Sequence, residues 1–321
     1  MPSRRVCRGA GVCRGAGVCR GAGVCEGRGV DDDATLPPHP PTTPTGEPVP
    51  AAHGATATAD PHSIASDTVA NLRDVGGRPT ADGRQVRRGL VLRSAELRSA
   101  AIADDPVVGG LGVRTVVDLR TAAERAAAPD VLPPGAHGVH ADVLQATTQA
   151  PAADLGELLR RPQEASQLLA ALDPAAQMQR TYVDLVVGES GRTGYATLLR
   201  RFLDPGSTPV LYHCTAGKDR TGWATTVILL AAGVDEAVAR EEYLAVNPAL
   251  RAMYGPLLQG FADVGGDPAL LVPLLEVREE YLDAALGAVT EHFGSFAGYL
   301  RDGLGLTDVE VAALRDHLTT A

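Results

Sequence analysis

Cys214 and Arg220 are separated by five residues, and a hydroxyl follows at Thr221. Residues 209–222 read Pro-Val-Leu-Tyr-His-Cys-Thr-Ala-Gly-Lys-Asp-Arg-Thr-Gly. Five intervening residues suffice to curl the backbone so that the N–H groups of Thr215, Ala216, Gly217 and Lys218 turn inward. The helix that follows adds its unpaired N–H groups and positive end, and Thr221 and Gly222, which lead into it, are counted with the binding residues. Such a cup fits a tetrahedral dianion. The same field favours the anionic form of a cysteine thiol, which is its nucleophilic form. Arg220 offers a planar fork that can grip two oxygens of the anion. Thr221 can donate its hydroxyl to the sulfur as it leaves. A single Cys beside a Gly turn is ordinarily inert; here Cys, Gly, Arg and Thr coincide at a useful spacing. The chain also has 28 Arg and one Lys, and that Lys is Lys218, inside the loop. A compact ammonium is expected to serve there.

The loop needs a strand before it and a helix behind it. Residues 210–212 form an apolar run of strand length, and residues 223–232 are long enough for three helical turns before Gly233. Upstream, residues 69–75 read as an edge strand ended by Gly76-Gly77, and residues 85–92 as a second extended piece. Arg73, Arg78 and Arg93 either line an anionic pocket or sit on solvated strand faces beside Asp partners. Residues 94–103 have helical composition. Residues 113–119 read as a buried strand, and Thr121 and Glu124 form a capping box for the next helix. Asp118 therefore stands at the carboxyl end of a parallel strand, where ligands of open α/β sheets bind; capping local backbone is its other reading. Residues 137–144 give another strand, which carries Asp142, and residues 154–203 are mostly helical in pattern. Everything after Gly233 reads as helix: 235–246, then 248–261 with Asn247 as cap, 268–292, 295–301, and a last helix opened by Thr307 and Glu310. Gly255, Gly260, Gly265 and Gly266 interrupt this half, as a movable cover requires; helices packed permanently on the sheet are the other reading. The expected fold is α/β, with a central, mainly parallel sheet flanked by helices and a helical C-terminal half.

Residues 213–222 resemble the signature loop of the cysteine-dependent protein tyrosine phosphatases. The Gly-Lys-Asp-Arg-Thr-Gly version is similar to the bacterial subfamily typified by mycobacterial protein tyrosine phosphatase B, tyrosine phosphatase family 3. Asn71-Leu72-Arg73-Asp74-Val75-Gly76-Gly77 and Val116-Val117-Asp118-Leu119-Arg120 also resemble that subfamily. The resemblance implies a phosphatase domain over residues 62–321, Cys214 as nucleophile, Arg220 as phosphoryl ligand, and a helical lid for which residues 248–285 are the candidates. It also implies Asp219 as general acid, in place of an acid delivered by a distant loop. Asp142 is the alternative, and no Trp-Pro-Asp stretch exists to strengthen it. Phosphomonoester hydrolysis through a phosphocysteine is the expected reaction, on phosphotyrosine in proteins or with dual specificity. Lys218 resembles the basic loop position of phosphoinositide phosphatases, which makes such lipids the alternative substrate; bracing the loop against Asp118 or another carboxylate is its rival role. A rhodanese-like sulfurtransferase and a non-catalytic phosphate-binding module are the remaining rivals. The first commonly uses a shorter loop, and the second would be expected to have lost Cys214, Arg220 or the acid.

Composition bounds the rest. The chain has 321 residues, 45% of them apolar and 4% aromatic, with a formal net charge of −10. That charge argues against bulk nucleic-acid binding, and no apolar run is long enough to span a bilayer. Residues 1–28 carry a net charge of +5, which leaves −15 for the remainder. Cys7, Cys13, Cys19 and Cys25 recur in a Cys-Arg-Gly-Ala-Gly-Val hexad, and a Pro-rich stretch follows. Residues 1–61 are therefore expected to be a disordered tail rather than a four-thiol metal site or signal peptide. The remaining cysteine lies in the loop, so no disulfide framework is expected and a reducing, cytoplasmic location is. No cofactor and no metal are called for, since Arg220 and the loop amides supply the positive charge.

Overall fold

The computed structural model describes residues 60–145, 166, 171 and 173–320. The expectations for residues 1–59, and for most of 146–172, lie outside the described residues. In chain order the strands, and the α-helices of five residues or more, among the described residues are Arg73–Asp74 (β1), Gln85–Val86 (β2), Val91–Ser94 (β3), Pro106–Gly110 (α1), Thr115–Asp118 (β4), Ala122–Ala127 (α2) and His137–His140 (β5). Pro174–Val187 (α3), Glu189–Arg201 (α4), Val210–His213 (β6), Asp219–Ala231 (α5) and Glu236–Leu244 (α6) follow. Asn247–Asp263 (α7), Glu279–Phe293 (α8), Asp308–Leu318 (α9) and Thr319–Thr320 (β7) complete the chain.

Five strands form one sheet in the order β1-β3-β6-β4-β5, antiparallel between β1 and β3 and parallel elsewhere. Every residue of β3, β4 and β6 is buried, because both faces of the sheet are covered. Side chains alternate between two cores. Leu92, Val116 and Leu211 pack on one face with Leu72, Ile102 and Val108; Val91, Val117 and Tyr212 pack on the other. Helix α5 is buried almost all round, as its apolar composition demands, and its Trp223 ring meets Tyr299 at 5.9 Å. Register places Ser94, His213 and Asp118 side by side, so three strands end on one line and Cys214 emerges from the middle one.

Several boundaries differ from expectation. Residues 85–92 are not one strand: the chain turns at Gly89, whose φ is 70°, so β2 leaves to pair with the C-terminal β7 while β3 enters the main sheet. A strand thus closes the half expected to be all helix. Residues 94–103 hold only a short 3-10 turn from Ala100, after which Asp105 caps α1. Helix α5 starts earlier than expected, at Asp219, so Arg220 and Thr221 lie in its first turn. Asn247 begins α7 instead of capping it, and its amide holds both backbone groups of Val277, each at 2.9 Å. Helix α7 carries a small core of its own, in which Phe261 meets Leu271 and Leu275. No helix among the described residues is long and apolar enough to cross a membrane.

Candidate active site

The loop is held from outside by its carbonyls. The Glu96 N–H donates to the Thr215 carbonyl at 3.1 Å. Asn71 Nδ2 donates to the carbonyls of Ala216 and Gly217 at 3.1 and 3.2 Å, and Arg93 Nη2 donates to that of Gly217 at 2.7 Å. With the carbonyls drawn outward, the amides must face inward. Among the described residues, no hydrogen bond takes the N–H of Thr215, Ala216, Gly217 or Lys218. Gly217 is required twice over: its φ is 68°, and a Cβ there would run into the Ser94 carbonyl oxygen. The result is a cup of free donors closed by the N-terminus of α5, with Cys214, 2% exposed, at its base.

Arg220 is aimed by a residue that sequence reasoning cast only as a cap. Its Nη1 and Nη2 donate to Glu124 Oε2 and Oε1 at 2.6 and 2.7 Å. Glu124 also accepts from the Thr215 hydroxyl at 2.7 Å, and from the Thr121 N–H and hydroxyl as the expected capping box. Burial alone would raise the Glu124 carboxyl; the Arg220 and Thr215 contacts outweigh it and hold it well below the usual range. Arg220 Nη2 also donates to the Thr215 hydroxyl oxygen at 3.3 Å; of its five N–H donors, the Nε–H and one Nη1 hydrogen are left for an anion in the cup. Thr221 is fully buried and its hydroxyl has no hydrogen-bond partner among the described residues.

Asp219, one residue before Arg220, is 20% exposed at its side chain and accepts from Tyr182 at 3.0 Å. Lys218 Nζ touches its two oxygens at 2.9 and 2.8 Å and lies 3.4 Å from the Glu276 carbonyl. Lys218 is 5% exposed, so its ammonium pairs with Asp219, not with Asp118, and does not extend past the rim. For Tyr254 on α7, burial first, then the charges of Asp219, Cys214 and Glu96, push the hydroxyl up to about 12.

Asp118 and Asp142, though placed at strand ends, are committed elsewhere. Both Asp118 oxygens accept from Arg120 at 2.9 Å, and those bonds hold the carboxyl below its ordinary value despite burial. Asp118 also accepts from the Arg120 N–H at 2.9 Å, so it follows the reading as a cap of local backbone, and its side-chain pair is one of four anchors for Arg120 with Glu96, Asp130 and the Ala128 carbonyl. Asp118, Asp130 and His213 place ligand atoms within 4.8 Å of one another, but the Arg120 guanidinium already serves both carboxylates as counter-ion. Asp142 accepts from the N–H groups of Ala122 and Leu144, at 3.1 and 2.9 Å. Arg73, Arg78 and Arg93 fit neither expected role. All three are buried around Glu242, which Arg73 meets through two bonds of 3.0 and 2.9 Å.

The comparisons agree with this geometry. A sequence model of the tyrosine phosphatase family matches residues 64–320. A Cupriavidus necator protein named as a tyrosine-protein phosphatase is 36% identical over 269 residues, covering 84% of this chain and 93% of its own length. The triple specificity protein phosphatase PtpB of Mycobacterium tuberculosis is 31% identical, over 77% of this chain and 96% of its own. A tyrosine-protein phosphatase of Nostoc commune is 26% identical, over 82% and 85%. A match running from the segment before Asn71 to the C-terminal strand takes in the loop and every element that braces it, and the chain belongs to the tyrosine phosphatase family, whose members are hydrolases.

Proposed function

We propose that the protein hydrolyses phosphotyrosine in proteins through a phosphocysteine intermediate. The observation that carries this reading is the cup of free amides between Cys214 and a clamped Arg220. Cys214 attacks phosphorus in line, while Arg220 and the amides hold the equatorial oxygens. Asp219 gives its proton to the departing phenolate oxygen. As a carboxylate it then takes a proton from the water that hydrolyses the phosphocysteine. Asp219 is preferred over Asp142 because it borders the cup, whereas Asp142 is occupied by two backbone amides. A lipid-directed reading would need an ammonium free to reach a second phosphate, and Lys218 is buried against Asp219. The name of the Mycobacterium tuberculosis relative keeps breadth of specificity worth testing.

The experiment compares wild type and Cys214→Ser on a phosphotyrosine peptide, a phosphoserine peptide and phosphoinositides, with and without chelator. The expected result is chelator-insensitive turnover, highest on phosphotyrosine, that is lost in the variant. Full activity of Cys214→Ser, or loss of wild-type activity in chelator, would sink the mechanism; preference for the lipids would overturn the substrate assignment.

A further inference from the structure

Helices α3, α6 and α8 bring Tyr182, Tyr243 and Tyr281 together behind Asp219, each at most 1% exposed. The Tyr182 and Tyr243 rings meet edge-on at 6.1 Å, and Tyr281 packs on Tyr182 at 5.8 Å. Tyr243 donates its hydroxyl to that of Tyr182 at 2.8 Å, and Tyr182 donates to Asp219 Oδ1 at 3.0 Å. The direction of this chain follows from counting protons. A neutral phenol has one to give: Tyr243 lies 2.8 Å from the Tyr182 oxygen and 3.4 Å from the Arg278 carbonyl, so it gives to Tyr182, which is left to give to Asp219. Burial first, with Asp219 next, pushes both hydroxyls well above their ordinary range, so both are protonated at neutral pH.

We propose that Tyr182 is the positioning residue of the general acid: it commits Asp219 Oδ1 as an acceptor, so that the transferable proton is carried on Oδ2. This rests on the reading of Asp219 as the acid. A carboxylic acid holds its proton on one oxygen, and the oxygen that accepts from a phenol is the other one. Lys218 touches both oxygens and therefore does not choose between them. Tyr182 reaches Oδ1 alone and fixes the carboxyl rotation as well. In the first step the proton passes from Oδ2 to the leaving phenolate oxygen as the P–O bond breaks and the S–P bond forms. Asp219 is left ionised between Tyr182 and Lys218, ready to take a proton from the attacking water. Tyr243 acts one bond further back, by fixing which way Tyr182 donates.

The test is the leaving-group dependence of kcat/KM, read with phenyl phosphate, whose leaving group needs the proton, and 2,4-dinitrophenyl phosphate, whose leaving group does not. Tyr182→Phe keeps the ring and removes the bond, and should lose roughly tenfold more on phenyl phosphate than on the dinitrophenyl ester. Tyr182→Phe combined with Asp219→Asn should be no more selective than Asp219→Asn alone. A loss of packing would lower both substrates equally, and that result overturns the proposal. Asp219→Asn measured alongside separates the two levels of inference. If it too is unselective, the acid lies elsewhere; if it is selective and Tyr182→Phe is not, the acid stands and the positioning role falls. Should Tyr182→Phe fail to fold, Tyr243→Phe carries the same comparison at about threefold selectivity, and a uniform loss there is the overturning result.

Discussion

Arg220 has a long side chain and cannot choose its own direction; Glu124 chooses it. Two bonds of 2.6 and 2.7 Å hold the guanidinium plane where the cup needs it. Glu124→Gln keeps size and part of the capping geometry but halves the acceptors that face the fork. A charge-assisted bond is worth about 1.5–3 kcal/mol, so kcat/KM should fall by about tenfold to a hundredfold. The same carboxyl sets a pH dependence. Its folded-state pKa lies below the ordinary glutamate value of about 4.3, so its stabilisation is complete above that value and drains as pH falls beneath it. The curve of melting temperature against pH should therefore be flatter in the variant below about pH 5; an unchanged acid limb would show that Glu124 does not hold the native state. Cys214, Arg220 and Thr221 were legible in the sequence because one short loop holds all three, and spacing alone brings them together. Glu124 was not, because its capping box gave it a complete local purpose. Of the two readings of Asp118, the local one is what the structure displays: its Oδ1 accepts from the Arg120 N–H, and the Arg120 guanidinium takes both oxygens.

At the scale of elements, the cup is shaped by its neighbours more than by its own sequence. Asn71, at a φ of 51°, and Arg93, from β3, hold the carbonyls that turn the amides inward. Gly217 makes that approach feasible, with a Cβ excluded by the Ser94 carbonyl and by its own positive φ. Gly217→Ala should therefore push the loop away from β3 and cost about 1–3 kcal/mol of stability, read as a lower denaturant midpoint, with activity falling further than stability. A folded variant of wild-type activity would show that the amides do not need this contact. Strands β4 and β6 and the two capping boxes were legible because local residue types dictate them. The division of residues 85–92 was not: both halves are extended, and only the turn at Gly89 sends them to different sheets. The pairing of Asn247 with Val277, thirty residues away, likewise outcompetes a capping role that looked complete nearby.

The whole molecule places a surplus of positive charge directly behind the cup. Arg73, Arg78 and Arg93 share one buried carboxylate, Glu242, and burial lowers the affinity of Arg93 for its own proton. Two further partners make this arrangement tolerable: the Gly217 carbonyl on Arg93, and Asp60, whose Oδ2 meets Arg73 Nη1 at 2.6 Å. Asp60 precedes the domain start expected at residue 62, so it is an ion partner of the fold, not a residue of the tail. Its side chain is 33% exposed, and solvent screening limits the pair to about 1 kcal/mol. A chain shortened to residues 60–321 keeps Asp60 and gives the reference melting temperature and turnover on an aryl phosphate. The same shortened chain carrying Asp60→Ala should melt lower by about 2–4 °C, in proportion to that energy for a domain of this size. Arg93 receives the redistributed field and holds Gly217, so phosphate should also compete less well with substrate in the Asp60→Ala chain. Equal melting temperatures for the two shortened chains would show that Glu242 alone suffices for the three arginines.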